Sequence, residues 1–318
     1  MSFGERFLRN PDLFPARPSG EAWGERDLEL DLAGGPYLFS GLSPAQAEAV
    51  GERFGELCRP AAATPAVAAR LFRMAAGDFL AFDVRGWEYS LDRDAAPGAL
   101  RLAGLELAAR LDWRPALGGA LWTPDAGGER FGGIFENFCR VLVAYRLVEV
   151  GGVLLHSAGV VRHGAAFLFL GPSGAGKTTV SAASLAAGAE VLSDDVNALL
   201  PAPAGAGRPE VVKLPFTGDL GDRRGGRRAV PLGAVLWLEK ADGDELSPLS
   251  RAAALGSLFA CAPFVNSDPH RRDALLANLA RLLAPAAGPA AFKLRFARRG
   301  SFWSILDEKW QQSTPALC

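Results

Sequence analysis

The residues with the clearest chemical signature form one short run in the middle of the chain. Residues 171–178 read Gly-Pro-Ser-Gly-Ala-Gly-Lys-Thr and match the phosphate-binding pattern G-x-x-x-x-G-K-[ST]. In this pattern, backbone N–H groups converge on phosphate oxygens, and the lysine and the hydroxyl serve the terminal phosphate and Mg²⁺. The alternative interpretation is a flexible turn rich in glycine and serine. The predicted nucleotide-binding residues are Gly171, Pro172, Ser173, Gly174, Ala175, Gly176, Lys177, Thr178 and Thr179.

The segments on either side of this run have the order that phosphate binding requires. Residues 165–170 are an apolar run with the length of a buried strand, and residues 178–187 contain neither proline nor glycine. Gly188 then provides a C-cap. The pattern predicts a strand, a glycine-rich loop and the N-terminus of a helix, and we therefore expect this chain to bind a nucleotide.

Two adjacent carboxylates, Asp194 and Asp195, lie on the next strand-like run, residues 190–196. Phosphoryl transfer needs phosphate positioning, a group that holds the metal and a group that orients the attacking hydroxyl. Lys177 and Thr178 supply the phosphate positioning and part of the metal binding. The two aspartates are the best candidates for the rest of the metal binding and for orienting the hydroxyl. Because adjacent side chains on a strand point to opposite faces, both carboxylates reach one site only if the strand bends there. The alternative is a solvated turn at the end of the strand.

Three further features each allow a functional and a structural interpretation. His156 lies on a strand-like run expected beside the strand of residues 165–170, either as a functional residue or as a core histidine. Glu239 follows an apolar run and is either a Walker-B-like acid or a plain strand end. The four arginines of residues 223–228 belong either to a mobile lid that neutralises phosphate or to a solvated loop.

Taken together, these segments resemble a known family. Leu155-His-Ser-Ala-Gly-Val160, the phosphate-binding run and Leu192-Ser-Asp-Asp195 are similar in order and spacing to the catalytic domain of the HPr kinase/phosphorylase family. The resemblance spans the segment from His156 to Asp195. It implies an α/β P-loop kinase domain of the type shared with phosphoenolpyruvate carboxykinase.

The resemblance also implies roles for individual residues. Lys177 and Thr178 would bind the β- and γ-phosphates of ATP and Mg²⁺, and Asp194 would help to hold the metal. Asp195 would orient or deprotonate the acceptor hydroxyl, and His156 would lie beside the reacting phosphate. The predicted catalytic residues are thus Asp195, Lys177 and His156, and the predicted metal ligands are Thr178 and Asp194.

The chain also departs from the family pattern. The downstream Glu-x-Arg-Gly signature is not found, and residues 1–125 do not resemble the usual N-terminal domain. These departures favour the looser group of HPr-kinase-like proteins, in which the acceptor is a peptide or small-molecule hydroxyl. We therefore expect a kinase that phosphorylates a hydroxyl, first of all a serine hydroxyl, of a peptide, a protein or a small metabolite. A module that senses ATP without transferring phosphate is the alternative, and the missing LSGGQ-like signature disfavours a transport or motor ATPase.

Composition limits the remaining classes of function. An apolar content of 49% provides for a sizeable core, and a net charge of −1 leaves no basic field, so neither nucleic acid nor a membrane is an expected partner. The N-terminal residues lack the apolar segment of a secretion signal, so we expect a cytoplasmic protein. Four cysteines without C-x-x-C spacing indicate reduced thiols. The family resemblance is compatible with a homo-oligomer.

Sequence periodicity predicts two domains, a small α+β unit over residues 1–125 and the kinase domain over residues 126–318. In the first, a helix begins after Ser43 and stops at Pro60, residues 87–92 alternate like a strand, and residues 100–113 are ambiguous between strand and helix. In the second, residues 131–148 form an apolar helix, Asp268 caps a helix, and residues 291–296 form an edge strand. The first unit is a candidate for substrate recognition.

Overall fold

The computed structural model has a mixed α/β fold with two large mixed sheets. It describes residues 20–60, 64–74, 91–104, 106–202, 207–216, 218, 220, 229–284, 290–297 and 301–313. The chain forms two compact units, with the main division between Arg146 and Leu147. The boundary expected after residue 125 lies earlier, and the helix that follows it belongs to the first unit except for its last turn. None of the helices in the described ranges has the length and apolar character needed to cross a membrane.

The first unit is built on one sheet of eight strands. They are β1 (Arg26–Leu32), β2 (Gly35–Leu42), β3 (Cys58–Arg59), β4 (Val67–Arg73), β5 (Asp92–Ala96), β6 (Ala99–Gly104), β7 (Leu107–Asp112) and β8 (Gly118–Thr123). Their order is β3-β1-β2-β4-β8-β7-β6-β5, with parallel pairing only where β4 meets β2 and β8. Helix α1 (Pro44–Phe54) and helix α2 (Phe131–Glu149) complete this unit.

Both helices confirm predictions from the sequence. Ser43 Oγ accepts a hydrogen bond from the Gln46 N–H, and Gln46 Oε1 accepts one from the Ser43 N–H, each at 3.0 Å, which is the predicted capping box. Helix α1 ends at Phe54 and continues as a 3₁₀ turn to Leu57, so its end lies earlier than the predicted stop at Pro60. Along α2 the apolar stripe is buried, and Phe135 packs edge-on against Phe39 with ring centroids 4.7 Å apart.

The second unit contains the remaining strands and helices. The strands are β9 (Val153–Arg162), β10 (Ala165–Leu170), β11 (Glu190–Ser193), β12 (Val196–Leu200), β13 (Glu210–Val212), β14 (Ala229–Lys240), β15 (Glu245–Pro248) and β16 (Ala290–Phe296). The helices are α3 (Lys177–Ala186), α4 (Arg251–Ala260), α5 (Arg272–Leu282) and α6 (Phe302–Ser313). The strand order is β10-β9-β12-β13-β14-β16-β15, and β14 also pairs in parallel with β10. Five of these strands therefore form a closed path.

Apolar side chains of β10 fix α6 and α3 on one face of this sheet. Phe167 and Phe169 of β10 both meet the Trp303 ring of α6 edge-on, with centroids 5.4 Å and 6.0 Å apart. Trp303 Nε1–H donates a hydrogen bond of 2.9 Å to Ser184 Oγ of α3. Burial of each such ring stabilises the fold by roughly 2 kcal/mol, so this contact holds the helix that follows the glycine-rich loop.

Two sequence predictions about individual elements were wrong in detail. Strand β16 lies between β14 and β15 and is not an edge, because the chain folds back after β14 and adds the short strand β15 outside it. Asp268 does not cap a helix, since α5 begins at Arg272. Instead Asp268 accepts hydrogen bonds from the His270 N–H at 2.8 Å and from the Tyr145 hydroxyl at 2.9 Å.

Of two other segments, residues 100–113 were left open between strand and helix, and residues 87–92 were predicted as a strand. Residues 100–113 form β6 and β7, two paired strands, because the chain turns at Glu106, which has a positive φ of 52°. The predicted strand over residues 87–92 lies outside the described residues except for its last two positions, and β5 begins at Asp92.

Candidate functional site

The glycine-rich loop joins β10 to α3 in the predicted order. Strand β10 ends at Leu170 and α3 begins at Lys177. Gly174 and Gly176 have φ values of 75° and 105°, in the left-handed region that favours glycine. A Cβ atom on Gly176 would also lie 2.6 Å from Cζ of Phe296. The loop therefore brings the first backbone N–H groups of α3, which have no partner inside the helix, to the end of the sheet.

Lys177 folds back over this loop. Its Nζ donates hydrogen bonds to the carbonyl oxygens of Gly171 at 3.0 Å and Pro172 at 3.2 Å, and the residue is buried. Burial lowers the pKa of Lys177, while the nearby Cys261 and Asp195 act in the opposite direction. The ammonium group is thus held at the loop by neutral carbonyl oxygens, which phosphate oxygens can replace as stronger, charged acceptors.

Asp194 and Asp195 lie at a bulge where β11 passes into β12. Both strands run antiparallel to β9, and the pairing register shifts just before Ser193. Ser193 Oγ accepts hydrogen bonds from the N–H groups of Asp195 at 3.1 Å and Val196 at 3.2 Å. The Asp195 carbonyl accepts one from the Ser157 N–H of β9 at 3.0 Å. This bulge is the bend that two adjacent carboxylates need in order to face one site.

The two carboxylates differ in exposure and in their partners. Asp194 is 5% exposed, and its Oδ1 accepts a hydrogen bond from the Leu220 N–H at 3.2 Å. The Asp195 side chain is 24% exposed, and its Oδ1 lies 3.2 Å from His156 Nδ1. The His156 side chain is 43% exposed, so it is not a core histidine. Asp194 is therefore fixed beneath the surface, whereas Asp195 and His156 are open to a bound molecule.

Cys261 connects the strand that carries His156 to the glycine-rich loop. The Cys261 carbonyl accepts a hydrogen bond from the His156 N–H at 2.7 Å, and its Sγ lies 4.0 Å from the Gly171 carbonyl oxygen. Burial raises the pKa of the Cys261 thiol, which favours the neutral form. The two segments are thereby held together by an uncharged group.

A buried polar side chain, that of Asn197, joins the strand after the bulge to β9. Asn197 is fully buried, and its Nδ2 donates to the Ser157 carbonyl at 2.8 Å and to Ser157 Oγ at 3.1 Å. The Asn197 side chain lies against the Cα of Gly159, where a Cβ atom would collide with it. Asn197 thus ties β12 to β9 two residues after Asp195.

The site residues line one cavity of about 490 Å³. It contains all three predicted catalytic residues and both predicted metal ligands. Gly171, Pro172 and Ala175 belong to the loop but do not line the cavity. The lining residues are His156, Ser173, Gly174, Gly176, Lys177, Thr178, Thr179, Asp194, Asp195, Gly218 and Lys240.

Two lining residues, Gly218 and Lys240, were not singled out from the sequence. Gly218 lies in the segment before the arginine-rich loop, and only its contact with the aspartates in three dimensions reveals it. Lys240 ends β14, directly after Glu239. A signal for Lys240 was available, because β14 reads as a central strand and the ends of such strands carry functional residues beside a nucleotide loop.

Glu239 does not belong to the cavity. Its carboxylate pairs with Lys293 Nζ at 3.1 Å and Arg295 Nε at 3.4 Å, and the hydrogen bond from Lys293 is the main cause of its lowered pKa. This geometry fits the plain strand end and not the Walker-B-like acid. The arginines of residues 223–228 lie outside the described residues.

The residues present fit the triphosphate of a nucleotide and a magnesium ion. No group of three or more His, Cys, Asp or Glu side chains with metal-binding geometry occurs among the residues that the structure describes. Mg²⁺, however, is typically held by one or two carboxylates together with substrate phosphates and water. Asp194 and the Thr178 hydroxyl supply oxygen ligands of this kind at the cavity.

Comparison with known proteins gives a family for this chain. No curated protein is significantly similar to the chain. The model of the family described as SynChlorMet cassette protein ScmC matches residues 135–310, a range that includes every residue of the cavity. Because this range is more than half of the 318 residues, the chain belongs to the ScmC family.

Proposed function

We propose that this chain is an ATP- and Mg²⁺-dependent kinase that transfers the γ-phosphate of ATP to a serine hydroxyl of a peptide, a protein or a small metabolite. The observation that carries the proposal is the contact between His156 Nδ1 and Asp195 Oδ1, 3.2 Å apart, at the same cavity as Lys177 and Thr178. A phosphate-binding loop alone supports ATP binding and no more. A partly exposed carboxylate beside the loop also supports chemistry on a second substrate.

The loop and Lys177 bind and orient the triphosphate in this proposal. The N–H groups of the loop and of the first turn of α3 donate to phosphate oxygens, and the helix dipole favours the negative charge. Lys177 Nζ exchanges its two carbonyl acceptors for phosphate oxygens and neutralises the charge that develops on the transferred group. Burial of Lys177 strengthens this interaction because little water competes with it.

Asp194 and Thr178 would hold the metal. The Leu220 N–H fixes one oxygen of Asp194, and burial restricts the movement of this side chain. When bound, Mg²⁺ offsets phosphate charge and orients the terminal phosphate for in-line attack.

Asp195 accepts the proton of the acceptor hydroxyl. As the hydroxyl oxygen bonds to the γ-phosphorus, the bond from this phosphorus to the β–γ bridging oxygen breaks and leaves ADP, and the hydroxyl proton moves to Asp195. His156 contacts Oδ1 of Asp195 and orients the carboxylate. The exposure of both side chains leaves them accessible to an acceptor as large as a peptide.

The proposal extends to the architecture and the setting. We assign the second unit to the P-loop kinase fold of the HPr kinase and phosphoenolpyruvate carboxykinase type, on the basis of the motif order from His156 to Asp195. We assign acceptor recognition to the first unit and the activity to the cytoplasm, with neither nucleic acid nor a membrane as a partner.

The test compares Asp195→Asn with wild type in transfer and in binding. γ-Labelled ATP and Mg²⁺ are incubated with free serine, threonine, serine-containing peptides and cell extract, and ATP affinity is measured separately. Loss of the general base is expected to reduce transfer by about 10³-fold and to leave the ATP dissociation constant within about twofold. Asp273→Asn is the matched control, because the Asp273 side chain is 93% exposed and is not among the lining residues.

The outcomes separate the proposal from its alternative. Transfer by Asp195→Asn at the wild-type rate removes Asp195 as the base. Tight ATP binding without a labelled product, in both proteins, favours a nucleotide-sensing module.

A further inference from the structure

Lys240 stands on the opposite side of the glycine-rich loop from the two aspartates. In the sheet, β10 lies between β9 and β14. Strand β9 also pairs with β12, which begins directly after the bulge of Asp194 and Asp195. Strand β14 runs parallel to β10, with Leu170 opposite Trp237, and continues to Lys240 after β10 has turned into the loop. The cavity is therefore bounded by the carboxylates on one flank of the loop and by Lys240 on the other.

The alternation of side chains along β14 directs Lys240 toward α3. Ala234, Leu236 and Leu238 belong to the apolar core that includes Val180 of α3. Lys240 is the next residue in this alternating series, so its side chain lies on the same face of β14, just beyond the last apolar residue of that face. Its register partner on β16 is Phe296, and the Phe296 ring lies against Gly176 of the loop.

The ammonium group of Lys240 has no acidic partner among the residues that the structure describes. Glu239 faces the other side of β14 and is engaged by Lys293 and Arg295. Asp195 contacts His156, and Asp194 accepts from Leu220 on the far flank. A second lysine beside the N-terminus of α3 raises the positive potential there, which destabilises the empty site and favours a bound anion.

We infer that Lys240 binds the polyphosphate of the nucleotide, as a second lysine on the side of the loop away from the acceptor. The inference rests on the proposed function for the identity of the ligand. It adds a nucleotide-binding residue outside the G-x-x-x-x-G-K-[ST] pattern. The alternative ligand of Lys240 is an anionic group on the acceptor, either a carboxylate or a phosphate. The position of Lys240 opposite Asp195 favours the nucleotide.

The test measures the binding of Mg²⁺-ATP and of inorganic pyrophosphate to the full chain, by calorimetry at constant ionic strength. Lys240→Met is expected to raise both dissociation constants roughly tenfold, and Lys240→Arg is expected to retain most of the affinity, because the charge persists. The matched control is Lys293→Met. It removes the same charge from the neighbouring strand, on the face where Lys293 pairs with Glu239, and is expected to leave both constants within about twofold.

Three results would overturn the inference. Unchanged ATP and pyrophosphate affinities in Lys240→Met exclude the nucleotide as its ligand. If Lys240→Met raises only the KM of an acceptor, the anion that Lys240 binds belongs to the acceptor. Equal weakening by Lys293→Met shows a long-range charge effect without a direct contact. Because binding is read without turnover, a chain that binds ATP through Lys240 but transfers no phosphate contradicts only the proposed kinase activity.

Discussion

Replacement of Gly218 by alanine tests whether the placement of the two aspartates limits phosphoryl transfer. Gly218 packs directly on the pair. A Cβ atom at this position would lie 2.5 Å from Asp194 Oδ1, 3.1 Å from Asp194 Cγ and 3.0 Å from the Cβ of Asp195. Since an ordinary contact between carbon and oxygen is about 3.4 Å, one partner must move by roughly 1 Å.

The expected loss of transfer rate depends on which atoms can move to make room for the added methyl group. Asp194 is buried and bonded to the Leu220 N–H, in the segment that carries Gly218, so displacement of the segment also disturbs this hydrogen bond. A misplacement of about 1 Å in a catalytic or metal-holding group costs on the order of 100-fold in rate. The atoms nearest to the added methyl group belong to the two aspartates and not to the loop of residues 171–178, so ATP affinity in EDTA should change by less than about twofold.

The assay follows the label of γ-labelled ATP into an acceptor under single-turnover conditions, together with thermal unfolding of each variant. The matched control is Gly256→Ala in α4, where an added Cβ meets no atom within 4 Å. This control should transfer phosphate like wild type and gain up to about 1 kcal/mol of helix stability. A folded Gly218→Ala protein whose rate stays within about threefold of wild type would show that the position of the two aspartates does not limit transfer, because Asp194 would then be free to move without consequence.

Two further predictions concern the stability of the second unit. Asp307→Asn should lower the free energy of unfolding by about 1 kcal/mol at pH 7, because Arg162 donates to both Asp307 oxygens, at 2.8 Å and 2.6 Å. The hydrogen bonds from Arg162 lower the pKa of Asp307, so this stabilisation is complete above the unfolded-state pKa of about 4 and is lost as the pH falls through the lower folded-state pKa. Urea unfolding of wild type and Asp307→Asn from pH 7 downward measures the difference in unfolding free energy between them. A difference that stays constant with pH contradicts the prediction. Gly159→Ala should destabilise by about 2 kcal/mol, because its Cβ overlaps the buried Asn197 side chain. Gly243→Ala, where an added Cβ meets nothing within 4 Å, serves as the control in the same urea titration, and equal midpoints for the two variants would show that the site adapts.

Local patterns predicted the elements around the site well. The apolar run of β10, the glycines of the loop and the proline-free start of α3 each follow from short-range backbone and burial preferences. The turn of the β9–β10 hairpin lies at His163 and Gly164, both with positive φ, and it depends on local backbone preferences in the same way. In these segments a few adjacent residues determine the structure.

The features that were missed depend on contacts between distant segments. Lys240 and Glu239 are neighbours in sequence, and only the pairing of β14 with β10 and β16 decides which of them faces the loop. Gly218 matters because it packs against residues more than twenty positions away. The position of β16 inside the sheet likewise depends on β15 folding back beside it, which no periodicity within residues 291–296 encodes.

Transfer of phosphate from ATP to an alcohol at the cavity can be followed directly through the fate of the γ-phosphate. Wild-type protein is incubated with γ-labelled ATP, Mg²⁺ and fractionated cell extract, and the products are separated after acid treatment. We predict that the label appears in an acid-stable phosphomonoester of serine and that the Asp195→Asn protein forms none. Label found only in ATP or in inorganic phosphate, across all fractions, would contradict it.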